Sequence, residues 1–342
     1  MPGLPIAKTH GSRNDILVID GTPDEHFASP AAVQHAVELL CDRERGLGAD
    51  GVYFVKDDGD GTARAWFFNP DGSESLLCGN GMRCAGRLLL DRHQAESVSV
   101  HTGPYTFTVR DAGTTVHGVR EVAVELPPVD FAPGQPIIAG SGPSFIDQPL
   151  AAYHPARRVT ALAVPNSHLV SVIDTYEEAE LVETGRRVAD TPSTFPVGAN
   201  VSFVLPLTSD EVFIHTYERG AGLTPSCGSG NSASRAVLSR LGRVDPGHPV
   251  LIRNPGGVAR SWLQSAAAGS TTAASGPAWQ PVLEGNATVV YRTELDPALL
   301  LNGSPLPPPP EEDTTETSAF AALTADNLKS LRESGVHPSP VL

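Results

Sequence analysis

The sequence predicts an α+β protein of two pseudo-symmetric domains, each a curved, mainly antiparallel, barrel-like sheet around a central helix. Three observations carry that prediction. Two short motifs, Cys78-Gly79-Asn80-Gly81 and Cys227-Gly228-Ser229-Gly230, stand 149 residues apart, and each opens a stretch that reads as a helix. Short alternating apolar runs bounded by turn formers recur through both halves. The 33 glycines and 31 prolines supply the many turns that such a fold needs.

In chain order, residues 15–20, 51–55, 63–68, 97–101 and 105–110 read as strands. Residues 30–45 read as a helix with Val33, Ala36, Val37 and Leu40 on one face. A second helix, 82–91, follows the first motif. The other half repeats the scheme, with strands at 159–164, 169–173, 200–205 and 211–217, a helix at 177–189 and another at 231–241. Residues 265–277 are all Ser, Ala, Gly, Thr and Pro and read as a flexible hairpin loop. Residues 280–284 and 287–293 read as closing strands, the last returning to the first half. The expected domains are 1–122 with a returning strand in 286–300, and 123–285. A Pro-rich acidic tail, 303–342, is expected to be mostly mobile, with Thr324 capping a short helix that carries Leu328 and Leu331.

The net charge of −15 argues against nucleic acid and anionic membrane as partners; its ordinary use is solubility. The opening Met1-Pro2-Gly3-Leu4-Pro5 lacks the basic stretch and apolar run of a signal peptide. No apolar stretch is long enough to span a bilayer. Four cysteines are too few for a disulfide scaffold, so a cytoplasmic protein with reduced thiols is expected. Cys41 and Cys84 lack an acid–base context and are expected to be buried and inert.

A thiol at a helix start meets unpaired N–H groups and the positive end of the helix dipole. That setting is expected to lower the thiol pKa and to leave N–H groups for a substrate carboxylate. Two such thiols suit proton transfer at a stereogenic carbon, where a thiolate removes the α-proton from one face and a thiol supplies one from the other. The competing readings are small buried side chains and a structural disulfide. Pyridoxal phosphate needs a lysine, and Lys8, Lys56 and Lys329 all lie away from both motifs, so no cofactor is expected. Carbanion stabilisation would then fall to the helix N-termini in a closed site.

Other motifs carry less. The run Gly46 to Gly51 fits G-x-G-x-x-G but follows a helix and precedes a strand, the reverse of a dinucleotide site. No Walker A, His-Glu-x-x-His or Cys-x-x-Cys pattern is present, so neither nucleotide nor metal is indicated. Asn14, Asn69, Asn166 and Asn200 sit at turns beside strands, where asparagine is common for its own sake. Glu218 and Arg219 become candidates by standing nine and eight residues ahead of Cys227.

Taken in order, these blocks resemble the diaminopimelate epimerase family over nearly the whole chain up to about Thr293. The blocks are His10-Gly11-Ser12-Arg13-Asn14-Asp15, then Asp42-Arg43 through Gly46-Leu47-Gly48-Ala49-Asp50-Gly51, then Phe68-Asn69-Pro70-Asp71-Gly72-Ser73 and Cys78 to Cys84. Phe195 to Val201, Tyr217 to Gly222, Cys227 to Gly230 and Asn254-Pro255-Gly256-Gly257 follow. The resemblance implies that Cys78 and Cys227 are the acid–base pair and that Gly79-Asn80 and Gly228-Ser229 hold the carboxylate of the reacting centre. It further implies that Asn69, Asn166, Asn200 and Arg219, with the Glu218 backbone, read the distal amino-acid end. Asn14 would line the site, and His168 and Glu218 would adjust the thiol pKa values. The implied activity is cofactor-free interconversion of LL- and meso-2,6-diaminopimelate, serving lysine and peptidoglycan precursor synthesis.

Four positions depart from the family pattern. Pro165-Asn166-Ser167-His168 replaces Gly-Asn-Pro-His, Ser229 replaces Thr, Leu223 replaces an acidic residue and Ile16 replaces Phe. Racemisation of another amino acid, histidine for example, and a non-catalytic amino-acid-binding protein are the alternatives. Arg219 with three asparagines favours a substrate with a second amino-acid head, and a binder would need neither thiol. The sequence leaves the oligomeric state open, a homodimer among the options.

Overall fold

The structure, a computed structural model, describes residues 3–266, 278–303 and 305–339. Most of the low-complexity loop expected at 265–277 therefore lies outside the described residues. The chain runs β1 (Leu4–Gly11), β2 (Asn14–Asp20), α1 (Pro23–His26), α2 (Pro30–Cys41), β3 (Val52–Gly59), β4 (Thr62–Phe68), β5 (Glu74–Ser75), α3 (Gly79–His93), β6 (Ser97–Thr102), β7 (Tyr105–Thr114) and β8 (Arg120–Glu125). It continues as β9 (Phe145–Leu150), β10 (His154–Val164), β11 (Asn166–Val172), α4 (Glu178–Ala189), β12 (Asn200–Pro206), β13 (Glu211–Glu218), β14 (Gly222–Leu223), α5 (Gly228–Arg240), β15 (Val250–Asn254), β16 (Gly257–Ser265) and β17 (Trp279–Asn286). It closes with β18 (Thr288–Leu295), α6 (Pro297–Leu301) and α7 (Thr314–Glu333). Contacts divide the chain into two compact units, Met1–Val124 with Gly285–Leu323, and Glu125–Glu284 with Thr324–Leu342.

In the first unit β1 and β2 form an antiparallel hairpin, and β2 then runs parallel to β3, with Leu17 opposite Val52. Next, β3 and β4 pair antiparallel, β4 runs parallel to β6, and β6, β7 and β8 follow antiparallel. The outer edge of β1 is filled by the late strand β18, from Leu4 opposite Leu295 to His10 opposite Thr288. Side chains alternate across a strand, so the two faces of this sheet bury different helices. Leu17, Ile19, Val52 and Phe54 pack with Val33, Val37 and Leu40 of α2. On the other face α3 packs against β1, β2, β3, β6 and β7.

The second unit repeats those pairings one by one. The hairpin β10–β11 is antiparallel, β11–β12 is parallel with Leu169 opposite Val201, and β12–β13 is antiparallel. The parallel pair β13–β15 and the antiparallel pair β15–β16 follow. Here β9 covers β10, as β18 covers β1. Leu169, Val201 and Phe203 pack with Leu181 and Val188 of α4, while α5 packs against β10, β11, β12, β13 and β16.

Two expectations need correction. The helix expected over 30–45 stops at Cys41, because Asp42 turns extended and its carboxylate accepts the N–H groups of Glu44 and Arg45 at 2.8 and 2.9 Å. The tail expected to be mobile carries the 20-residue helix α7. Its N-terminus lies at Asp313, whose carboxylate accepts from Thr315 and Glu316 at 3.0 and 3.3 Å, so Thr324 is a buried mid-helix residue and not a cap. Phe320 and Leu323 are buried in the first half of α7, and Asn327 and Leu331 in the second. Glu316 pairs with Arg87 and accepts from Val289 N at 2.9 Å, fixing the start of the helix to the first unit. Among the described residues no helix is long and apolar enough to cross a membrane.

Candidate active site

Strand directions decide where the candidate residues collect. In the first unit Asn14 begins β2 and Asn69 follows the end of β4, which runs opposite to β2 and β3, so both stand at one end of the sheet. Cys78 caps α3 with extended backbone (φ −125, ψ 109), and its sulfur accepts from Gly81 N at 3.4 Å. The thiol is half-buried and donates to Asn14 Oδ1 at 3.3 Å. Asn14 in turn donates to Asp50 at 3.4 Å, and Asn69 donates to Ser73 Oγ at 3.0 Å. Gly79 and Asn80, both buried, form the first helical turn.

Sequence reasoning missed Tyr53. Its ring is fully buried beneath the first turn of α3, where a Cβ on Gly81 would lie 2.7 Å from it. Its hydroxyl accepts from Cys78 N at 3.1 Å and donates to Cys78 O at 3.3 Å. A tyrosine inside the apolar run Val52-Tyr53-Phe54 is the available signal, since a buried phenol needs a polar partner.

In the second unit Asn166 begins β11, Asn200 begins β12 and Glu218 ends β13, again at one end of the sheet. Cys227 caps α5 (φ −107, ψ 112), and its sulfur accepts from Gly230 N at 3.3 Å, with Ser229 Oγ at 3.5 Å. Gly228 and Ser229 are buried in the first turn of the helix. Asn200 Oδ1 accepts from Arg219 N at 2.9 Å, while the Arg219 guanidinium is exposed and donates to Val197 O. Asn166 is exposed, and its Oδ1 contacts His168 Nε2 at 3.0 Å. Glu218 accepts from Thr224 Oγ1.

The electrostatics of this second thiol differ from the expectation of a lowered pKa. Burial pushes Cys227 well above the ordinary thiol value, and the neighbouring Glu218 carboxylate adds to the shift. The Ser229 hydroxyl and Gly230 N–H oppose it and do not win. A helix N-terminus is worth about 0.3–1 kcal/mol when exposed, less than the cost of desolvating a thiolate. Burial also lowers the His168 pKa to about 3, with the Arg219 charge adding to the effect, so this imidazole is neutral at pH 7. Cys41 and Cys84 are buried as expected, burial raising Cys41 to about 12, and all four cysteines are free thiols.

The fold recurs among solved structures. They include a hydroxyproline epimerase from Agrobacterium vitis (18% identity, TM-score 0.59), with 86% of this chain and 91% of that one covered. A PhzF-family phenazine biosynthesis protein from Bacillus anthracis matches at 13% identity and a TM-score of 0.60, over 86% of this chain and all of that one. At such identities the likeness concerns the fold alone, and the class it defines is one of two repeated α+β halves. The diaminopimelate epimerase family profile matches residues 6–124 and 160–278, once in each half. A diaminopimelate epimerase of Enterococcus faecalis is 35% identical over 304 residues, 87% of this chain and 90% of the relative. One from Clostridium acetobutylicum is 28% identical over 327 residues, 95% and 96% of the two chains. The chain belongs to the diaminopimelate epimerase family.

Proposed function

We propose that this protein interconverts LL- and meso-2,6-diaminopimelate by two-base proton transfer at the α-carbon, with Cys78 and Cys227 as the bases and no cofactor. The observation that carries the reading is the repeated thiol, each a helix N-cap whose sulfur accepts the N–H three residues on. Membership of the family and the activity named for its relatives supply the substrate. A two-base mechanism needs one thiolate and one thiol at the start of each turnover. Burial and Glu218 favour the protonated form of Cys227 in the free protein, and by microscopic reversibility each thiol is the base for one direction and the proton donor for the other. The thiolate takes the α-proton, the carbanion is held at its carboxylate by N–H groups of Gly79-Asn80 and Gly228-Ser229, and the opposing thiol delivers a proton to the other face. The centre inverts and the two sulfurs exchange protonation states. Asn69, Asn166, Asn200, Arg219 and the Glu218 backbone read the distal head group, Asn14 lines the site, and His168 acts as a neutral neighbour. Reduced cysteines and the substrate class support a cytoplasmic location. A homodimer, if formed, is read directly by sedimentation.

The test is α-proton exchange in heavy water across a panel of amino acids under reducing conditions. Cys78→Ala and Cys227→Ala are each expected to lower epimerisation about 10²–10⁴-fold. Near-normal turnover in either variant sinks the two-base mechanism, and exchange confined to a different amino acid sinks the substrate.

A further inference from the structure

Helix α7 reaches the loop that carries Cys227 through a chain of buried amides, all within the second unit. Asn327, on α7 and 1% exposed, donates from Nδ2 to the carbonyls of Asn254 at 2.9 Å and Gly257 at 3.2 Å. Those two carbonyls belong to the last residue of β15 and the first of β16, which face each other across the Asn254-Pro255-Gly256-Gly257 turn. Asn327 Oδ1 accepts from Arg253 at 3.3 Å, so both ends of the amide are used. The Asn254 side chain continues the chain inward. Its Nδ2 donates to Ile214 O at 2.6 Å, and its Oδ1 accepts from Ser226 Oγ at 2.9 Å and Asn231 Nδ2 at 3.0 Å.

Ser226 and Asn231 bracket the thiol. Ser226 is the residue before Cys227, and Asn231 N donates to Cys227 O at 2.9 Å in the first turn of α5. The Asn254–Gly257 turn also binds the loop by its backbone, Gly256 N donating to Pro225 O at 2.8 Å. Buried amide networks of this kind fix one arrangement, because breaking any link strands a polar group in a low dielectric. The outer end of α7 is anchored separately, Leu331 and Val336 packing on Phe213.

We infer that Asn327 is a positioning residue for proton transfer, holding the Cys227 thiol and the α5 N-terminus in place through the Asn254 turn. The inference rests on the assignment of Cys227 as a proton-transfer group. Asn327→Leu keeps the branched shape at a somewhat larger volume and removes both donors and the acceptor for Arg253. It is expected to lower kcat about tenfold with KM within about twofold, since a small misplacement of a reacting group costs rate before it costs binding. Alkylation by iodoacetamide, followed for each cysteine by peptide mass mapping, is expected to change about threefold or more at Cys227 and not at Cys78. Leu331→Ala serves as the packing control, lowering Tm while leaving kcat and Cys227 alkylation within about twofold of wild type. If the Leu variant does not fold, Asn327→Asp keeps the acceptor for Arg253, loses the donors and gives the same readouts. Wild-type kcat and wild-type Cys227 alkylation in a folded Asn327 variant overturn the inference, as does an equal loss of kcat in Leu331→Ala. Activity in Cys227→Ala would instead overturn the assignment of Cys227, and the alkylation readout stands apart from activity.

Discussion

The two thiol sites share one backbone and differ in nearly everything packed against it. Cys78 and Cys227 cap their helices with similar dihedral angles, and each sulfur accepts the N–H three residues on. Beneath both first turns a glycine is required, since a Cβ would lie 2.7 Å from Tyr53 at Gly81 and 2.6 Å from Thr216 at Gly230. What lies beneath is different. In the first unit it is the cross-strand pair Tyr53–Phe67, ring centroids 4.8 Å apart; in the second it is Ser202–Thr216, joined by a 2.8 Å hydroxyl contact. The sulfurs differ likewise, Cys78 being half-buried beside an amide and Cys227 buried beside a carboxylate. A repeated fold thus supplies two equal presentations of a thiol, and the strand faces beneath them set two unequal environments.

Acidification should separate the units most. Burial lowers His168 to about 3 and His215 to about 4 in the second unit, and His10 to about 4 in the first. An unfolded histidine titrates near 6.5. The unfolded chain therefore takes up protons that these folded sites refuse, and stability is full above pH 6.5 and falls as pH drops towards the folded values. At pH 5 each site loses about 2 kcal/mol, so the second unit should weaken at least twice as much as the first, with His154, which burial also lowers, adding to the difference. Amide hydrogen exchange at pH 5 and 7.5 measures this unit by unit, and equal loss in both would break the comparison.

Tyr53→Phe comes next. Removing the phenol leaves the Cys78 N–H and carbonyl without that partner, at a cost of about 1–3 kcal/mol in thermal unfolding. The rate should fall with it, and iodoacetamide labelling of Cys227 should stay unchanged. An unaltered Tm would show that the clamp carries no energy. The smallest effect sharpens the electrostatic contrast. Glu218→Gln removes the charge that adds to the Cys227 shift, so the labelling pH profile of Cys227 should move to lower pH while that of Cys78 stays put. A stationary Cys227 profile would leave burial as the whole cause.

Much of this was legible in the chain, for reasons that particular residues make plain. The strands at 15–20 and 200–205 announce themselves because both sheet faces are buried, so apolar residues run nearly unbroken. Strand β1 does not stand out in the sequence, because Lys8, Thr9 and His10 break the apolar pattern; they are nonetheless buried, Lys8 bonding to the Gly48 carbonyl and pairing with Asp15. Helix α7 hid behind its proline-rich approach, although Asp313 with Glu316 three residues later is a helix-start signal. The turn Asn254 to Gly257 is legible in the sequence, but nothing local shows that Asn254 faces inward to the thiol loop.

The sequence alone determined the repeat, the two thiols, their helix-start setting and the family to which they belong, because local spacing and chain order encode all four. Only the tertiary structure decided what each thiol meets. Burial and the Glu218 charge overrode the helix terminus at Cys227, Tyr53 reached Cys78 from 25 residues away, and Asn327 reached the Cys227 loop from the far end of the chain. Desolvation and long-range hydrogen bonds depend on which segments meet in space, and no local pattern in the chain records that.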